Sequence, residues 1–577
     1  MNQFDKTSPR SRSLRIAATS QIAVAVAALV SGCGGGGSVT AEAPLVQPAD
    51  VGTISMDVTD GPASHLDQVW VTVTEVWFHL SESATAGEAK WEKFRLGTPV
   101  TIDMNSLSNG ALAKAFNGIT LPVGSYKQIR VFLAGPGDAL TTSAKAAGLL
   151  YNDQVNLTDA KGVKQSVPLE LASSAQGIKL SGDFTIAKGK TLRLAVEFNV
   201  GDDVVRFSHN GTDGFKLQPN LRYFDLDKAA AVTGKVDTSA CKTVATPCKD
   251  ITIKLEEPST DGTHQRVVRW TTAKPDGSFT LYPVPASTGR TYDAVITGRN
   301  TQPMIIRDVP AKPGSTPAAG AVVLSSVALP IKAASEFPVN IKPGVNPTGS
   351  RVAFYATPSA KDKPYELGFS HMNMFTGTLV RDHRLANAPL LVGSYVAGGS
   401  PAFVATAPVE GAGAYSAVFS ANNFKRAAAS ASVMASAAVP ATATTPAVAA
   451  GVNTSFVVPP VMQPLASVAQ LGTVTGNVIQ AKPGTWDRGF LVASHGGAVV
   501  NAIALDSLLA ANGGASGAYS IGNLPSGSKA LPLSSGSYDV FARVWNSKAP
   551  DKVKVVAVKD HADLRNTSTA TLNVMLP

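Results

Sequence analysis

From residue 51 onward, apolar and polar residues alternate in short runs punctuated by Gly, Pro, Asn and Asp. Val69, Val71 and Val73 share one face of such a run while Trp70, Thr72 and Thr74 share the other, the period-two pattern of a half-buried strand. The same reading predicts strands over 128–133, 191–198 and 214–222. Helical periodicity is nearly absent, with residues 111–116 and the Ala-rich stretch 427–439 as the main exceptions. Many short strands with turn residues between them predict an all-β chain of tandem β-sandwiches, Ig-like or transthyretin-like in type.

Two stretches repeat each other. Val232-Thr233-Gly234-Lys235-Val236 corresponds to Val474-Thr475-Gly476-Asn477-Val478, and Asp276-Gly277-Ser278-Phe279-Thr280-Leu281 to Gly517-Ala518-Tyr519-Ser520-Ile521. Each is followed by a Pro-containing turn (Pro283 and Pro285; Pro525) and a Tyr-led strand, Thr291-Tyr292-Asp293 against Ser537-Tyr538-Asp539. The units close on Val327-Ala328-Leu329-Pro330 and Val574-Met575-Leu576-Pro577. Matches in the same order predict two copies of one small sandwich. Between them, Gly413-Ala414-Tyr415-Ser416-Ala417-Val418-Phe419 is a fainter echo and predicts a diverged copy. Residues 427–470, rich in Ala, Thr, Val and Pro, offer little to bury and read as a semi-extended spacer.

Upstream, Lys6, Arg10, Arg12 and Arg15 precede an apolar run over 22–30 that ends Leu29-Val30-Ser31-Gly32-Cys33. This resembles a bacterial lipoprotein signal, in which small Ser31 and Gly32 let a peptidase reach the bond before Cys33, whose thiol then carries the lipid. The alternatives are an uncleaved anchor, which needs about 20 apolar residues, and ordinary secretory cleavage at Ala25-Val26-Ala27. Gly34-Gly35-Gly36-Gly37-Ser38 reads as a flexible tether, and residues 34–50 would span roughly 20 to 25 Å as a coil. Gly34, where Asp would retain the protein, favours delivery to the outer membrane by resemblance to Gram-negative sorting.

Charge narrows the partners. The formal net charge is +9, and residues 1–32 carry four basic residues and Asp5, so cleavage before Cys33 leaves +6. Lys and Arg are scattered rather than clustered, which argues against nucleic acid. With Cys33 lipidated, Cys241 and Cys248 are left as a pair for an oxidising compartment. A disulfide between them would contribute about 2 to 3 kcal/mol; a zinc site, with only His264 nearby, and two unpaired thiols are the alternatives.

The run Gly52-Thr53-Ile54-Ser55-Met56-Asp57-Val58-Thr59-Asp60-Gly61-Pro62, then 69–76, Ile102-Asp103, Leu121-Pro122-Val123-Gly124-Ser125-Tyr126 and Lys216-Leu217-Gln218-Pro219 resemble the bacterial lipoprotein family called domain of unknown function 4382. The resemblance covers about residues 50–225, and the family's Asp-Ala-Pro turn stands here as Asp60-Gly61-Pro62. The later repeats resemble carboxypeptidase regulatory-like domains, transthyretin-type sandwiches of the carbohydrate-binding-like fold group. The expected boundaries are a signal peptide over 1–32, a lipidated tether over 33–50, and sandwiches over 51–228, 229–332 and, diverged, 333–426. The spacer over 427–470 and a last sandwich over 471–577 follow.

No nucleophile elbow, zinc-binding helix motif, EF-hand or phosphate loop is present. The expectation is a non-enzyme without catalytic residues, metal or cofactor. Asp57, Asp60 and Asp67 flank one turn, where they serve the turn itself or a calcium ion. Glycan binding favours an exposed aromatic face, and Trp486, Trp70 and Trp77 are the candidates; their alternative is to cover sandwich ends. Trp270 and Trp545 are expected in cores. The resulting expectation is an outer-membrane, lipid-anchored protein of the cell envelope that binds a glycan or an envelope protein and no nucleic acid. A structural stalk or assembly accessory is the alternative, and an enzyme with an unrecognised site the third.

Overall fold

A computed structural model describes residues 50–577 apart from 64–65, 136–137, 159–161, 172–176, 210–211, 220, 244–245, 342–349, 373–378, 381, 410–414, 421–426, 430–431, 436–452, 459–469, 496–497, 527–536 and 559. The chain is all-β, built of tandem sandwiches.

In the first sandwich a four-stranded sheet (Arg222–Asp225, Thr191–Glu197, Val51–Thr59, Ala113–Pro122) faces an eight-stranded one crossed by Gln68–His79. Val69, Val71 and Val73 point into the core between them, as their alternation requires. The strands expected over 128–133 and 191–198 form as parts of Gly124–Leu133 and Thr191–Glu197. The one expected over 214–222 is cut into Thr212–Leu217 and Arg222–Asp225, which join different sheets. Pro219 has no N–H to carry a ladder across. Residues 111–116 are not helical: Ala113–Pro122 is a strand, with Phe116 opposite Met56. Core pairing overrides the helix propensity of the alanines there.

The second and fourth sandwiches realise the repeat residue by residue. Gly234 pairs with Phe279 and Gly476 with Tyr519 in the same antiparallel register. The Phe279 ring lies where a side chain on Gly234 would stand, its Cζ 2.4 Å from an added Cβ. At Gly476 an added Cβ would meet the Leu572 carbonyl at 1.8 Å. The closing segments run parallel to the first strand in both, through Val236 with Leu329 and Val478 with Val574.

The third sandwich takes in the described parts of the expected spacer. Ala427–Ala429 pairs with Ser416–Ser420, while Ser432–Ala435 and Asn453–Val458 complete the sheet holding Glu336–Ile341. Alternating small apolar residues suffice there because each strand has a partner already in place. Residues 427–429 and 432–435 are therefore strands rather than helix, and 430–431 and 436–439 lie outside the described residues. Leu390–Ser394 and Val404–Thr406 leave the third sandwich and extend a sheet of the second, alongside Met304–Pro310.

Candidate functional site

The sequence candidates scatter. Trp77 is half-buried between Phe132, 4.3 Å away ring to ring, and the Lys93 ammonium 3.7 Å above its face, and its Nε1 donates to Glu75. With Trp91 and Arg130 it closes the loop over residues 80–91 onto the sheet. Trp70 is half-buried on the outer face, its Nε1 without a hydrogen-bond partner among the described residues. Trp486 packs on the fourth core and donates to the Pro577 carbonyl at 2.9 Å. These three residues are not brought together. Cys33 and the side chain of Cys241 lie outside the described residues, and Cys248 is buried in the second core.

Nor do Asp57, Asp60 and Asp67 converge. Asp57 pairs with Lys114 at 2.7 Å and Asp67 accepts from Thr158. Asp60 is fully buried, and burial pushes its carboxyl well above the usual range. Its Oδ1 accepts from the Val200 amide at 2.7 Å, tying its turn to the loop at Asn199, and the Gly61 backbone of its own turn also bears on the carboxyl. Among the described residues no group of three or more His, Cys, Asp or Glu is arranged to hold a metal.

What the fold does assemble is the junction of the first two sandwiches. Glu197 and Arg222 are cross-strand neighbours in the first, joined by an ion pair of 2.7 Å. The second contributes Arg269, 1% exposed, whose guanidinium meets the other Glu197 oxygen and donates to Thr59 Oγ1 and the carbonyls of Asp60 and Tyr282. A bulge between Leu255 and Glu256 on the partner strand leaves Val268 as an extra residue, so Val268 and Arg269 are both buried.

Trp270 corrects its expected place in a core. It is half-buried against the first sandwich, donating to Asn199 Oδ1 at 2.7 Å, and its ring packs on Gly61 and Gly201. An alanine at 61 would put its methyl 2.6 Å from Trp270 Nε1. The glycine in Asp60-Gly61-Pro62 is thus the space that this docking needs.

Beside this contact opens a cleft of about 230 Å³, lined from one sandwich by Arg222, Tyr223 and Leu180 and from the other by Arg266, Arg290 and Glu257. Glu257 and Arg266 are a cross-strand pair. Arg266 bonds one Glu257 oxygen, and Arg290 donates to the other from Nη2 (2.6 Å) and Nε (3.2 Å). The Tyr223 hydroxyl is tied to the Asp183 backbone on both sides, so its ring is fixed at the rim. No sequence motif marks these residues: the groups meeting at the cleft come from strands far apart in the chain.

The fourth sandwich docks by a related device. Glu170 of the first sandwich is paired in strand register with Lys216 and meets buried Arg543 of the fourth. Burial pushes the Lys216 ammonium down to about 7 against the pull of Glu170, and among the described residues its Nζ has no hydrogen-bond partner. The third sandwich meets the first through Arg351, which joins Asp202 (3.0 Å) to its own Glu366, and meets the second through Glu366, 3.7 Å from Lys254.

The architecture defines the class, a tandem β-sandwich protein whose modules are docked by buried charge. Residues 51–219 match the model of the family described as Domain of unknown function (DUF4382), in keeping with the resemblance of the first sandwich. No curated protein matches. Among solved structures, the Bacillus anthracis TIE protein is similar at 9% identity over 92% of this chain and 75% of its own, with a TM-score of 0.14. A leucine-rich repeat protein from Bacteroides thetaiotaomicron VPI-5482 (10% identity, 49% of this chain and 27% of that one, TM-score 0.13) and a streptococcal ancillary pilin (10%, 60% and 99%, 0.11) are also similar. At such TM-scores the likeness does not extend to a shared arrangement of the chain.

Proposed function

We propose that this chain is an envelope lipoprotein, anchored at Cys33 in the outer membrane, that holds a glycan in the cleft between its first and second sandwiches and carries out no catalysis. The observation that carries the reading is the cleft itself, with arginines on both walls and an aromatic ring fixed at its rim. Ligand sites commonly form at domain interfaces. On this reading the second and fourth sandwiches are carboxypeptidase regulatory-like domains, as their shared Gly–aromatic register supports. Cys241 and Cys248 form a disulfide: the hairpin pairing Lys242 with Pro247 makes them the next opposed positions.

Retention of the full chain on immobilised envelope polysaccharides tests the function, and loss of retention in a Tyr223→Ala/Arg290→Ala variant is expected. Retention unchanged by that variant would contradict it. The Cys33→Ser variant is expected to leave the membrane fraction. A second reading, a spacer of fixed geometry, draws support from the buried charges at Glu197 and Glu170; small-angle scattering unaffected by breaking either contact would remove that support.

A further inference from the structure

Two carboxylates in and behind the cleft are each shared by two guanidinium groups: Glu197 by Arg222 and Arg269, Glu257 by Arg266 and Arg290. Four cations against two anions leave a local excess of two positive charges. The excess sits partly in water, since the side chains of Arg222, Arg266 and Arg290 are 29%, 44% and 32% exposed. Among the described residues Arg266 bonds only through Nη2, to Glu257, so its Nε and Nη1 are available to an outside acceptor. The glutamates hold the guanidinium planes in place, which lowers the ordering cost of binding an oxyanion. Apart from Ser181, the rest of the lining is apolar or aromatic, including Tyr223, Leu221 and Pro285. At about 230 Å³ the cleft is smaller than the roughly 300 Å³ at which pockets for drug-sized molecules begin, so it suits one ring-sized unit of a longer chain.

We propose that the cleft selects acidic polysaccharide, taking the carboxylate of a uronic acid unit on Arg266 and Arg290 while the sugar ring lies against Tyr223. This rests on the reading of the cleft as a glycan site and adds the chemistry of the glycan. The test is calorimetric titration of the detergent-purified full chain with tetragalacturonate and with neutral cellotetraose. Tetragalacturonate is expected to bind at least tenfold more tightly than cellotetraose, and to weaken severalfold between 50 and 500 mM NaCl. Arg266→Gln, on an exposed side chain that leaves Glu257 paired with Arg290, is expected to lose about tenfold for the acidic ligand and nothing for the neutral one. A thermal melt matching the parent chain establishes that this variant folds; Arg290→Lys is the second variant, keeping the charge in the cleft but losing the paired Nε and Nη2 bonds to Glu257 that orient it, with a smaller loss expected.

Equal binding of both oligosaccharides, unaltered by these variants, would overturn the acidic preference and leave the glycan reading standing. Binding of neither, with retention on another envelope polysaccharide abolished by Tyr223→Ala/Arg290→Ala, would do the same. Full displacement of tetragalacturonate by equimolar inorganic phosphate, or tight binding to phosphatidylglycerol vesicles in its place, would also overturn it.

Discussion

The second and fourth sandwiches are copies, yet they meet the first in different ways. In each contact one buried glutamate of the first sandwich faces a cross-strand cation of its own and an arginine of the incoming copy: Glu197 with Arg222 and Arg269, Glu170 with Lys216 and Arg543. The arginines come from non-equivalent strands. Arg269 lies on Gln265–Thr272, at the sheet edge, and Arg543 on Ser537–Asn546, the counterpart of Thr291–Thr297. At the first contact Arg222 reaches the cleft; at the second Lys216 is sealed in. The fourth copy also lacks the cleft chemistry. Asp293 pairs with Glu256 and Asp539 with Ser494, so His495 stands where the second copy has Glu257, and Gly536 precedes the Tyr-led strand where Arg290 does. What the copies share builds the sandwich, and what only the second has lines the cleft.

The largest test of this contrast is Glu197→Gln. It leaves Arg222 and Arg269 facing each other at a fully buried position, and a loss of about 3 to 5 kcal/mol in urea unfolding is expected. At the other contact the sign reverses. Lys216→Met removes a buried amine that has no hydrogen-bond partner among the described residues, while Glu170 keeps Arg543, and is expected to raise stability by about 1 to 4 kcal/mol at pH 6. Between pH 7 and the ordinary lysine range the unfolded chain holds a proton at Lys216 that the folded chain has released, so parent stability rises with pH across that window. The variant should lose that slope.

The glycines separate the copies next. Gly476→Ala strikes a backbone carbonyl and Gly234→Ala a ring that can turn, so both destabilise within about 1 to 3 kcal/mol, the former more. Equal melting temperatures for the two would break the distinction. The smallest effect expected is for Gly61→Ala, about 1 kcal/mol, seen as faster proteolysis between the first two sandwiches rather than as unfolding of either.

Much of the fold was legible in the sequence because strands announce themselves locally. The Val69, Val71, Val73 stripe and the Gly-aromatic pairs need only alternation and a turn. Residues 111–116, 427–429 and 432–435 misled because alanine carries helix propensity and a partner strand carries none of the signal. The candidate site was hidden for a related reason. Arg269 meets Glu197 across two sandwiches, Arg266 and Arg290 look like scattered surface charge, and the bulge at Val268 turns Arg269 inward against the expected alternation. The tryptophans stood out by residue type alone, and the structure uses Trp77, Trp270 and Trp486 to close loops and contacts. Gly61 was readable as a departure from the family turn, though its reason lies in Trp270, far along the chain.

On the proposed reading the second copy carries the binding surface and the fourth does not. Hydrogen–deuterium exchange of the full chain, with and without tetragalacturonate, tests it most directly. Protection is expected over 222–224, 256–267 and 289–292, with no change over 488–495 and 537–546. Protection confined to the fourth sandwich, or spread equally over both copies, would contradict it.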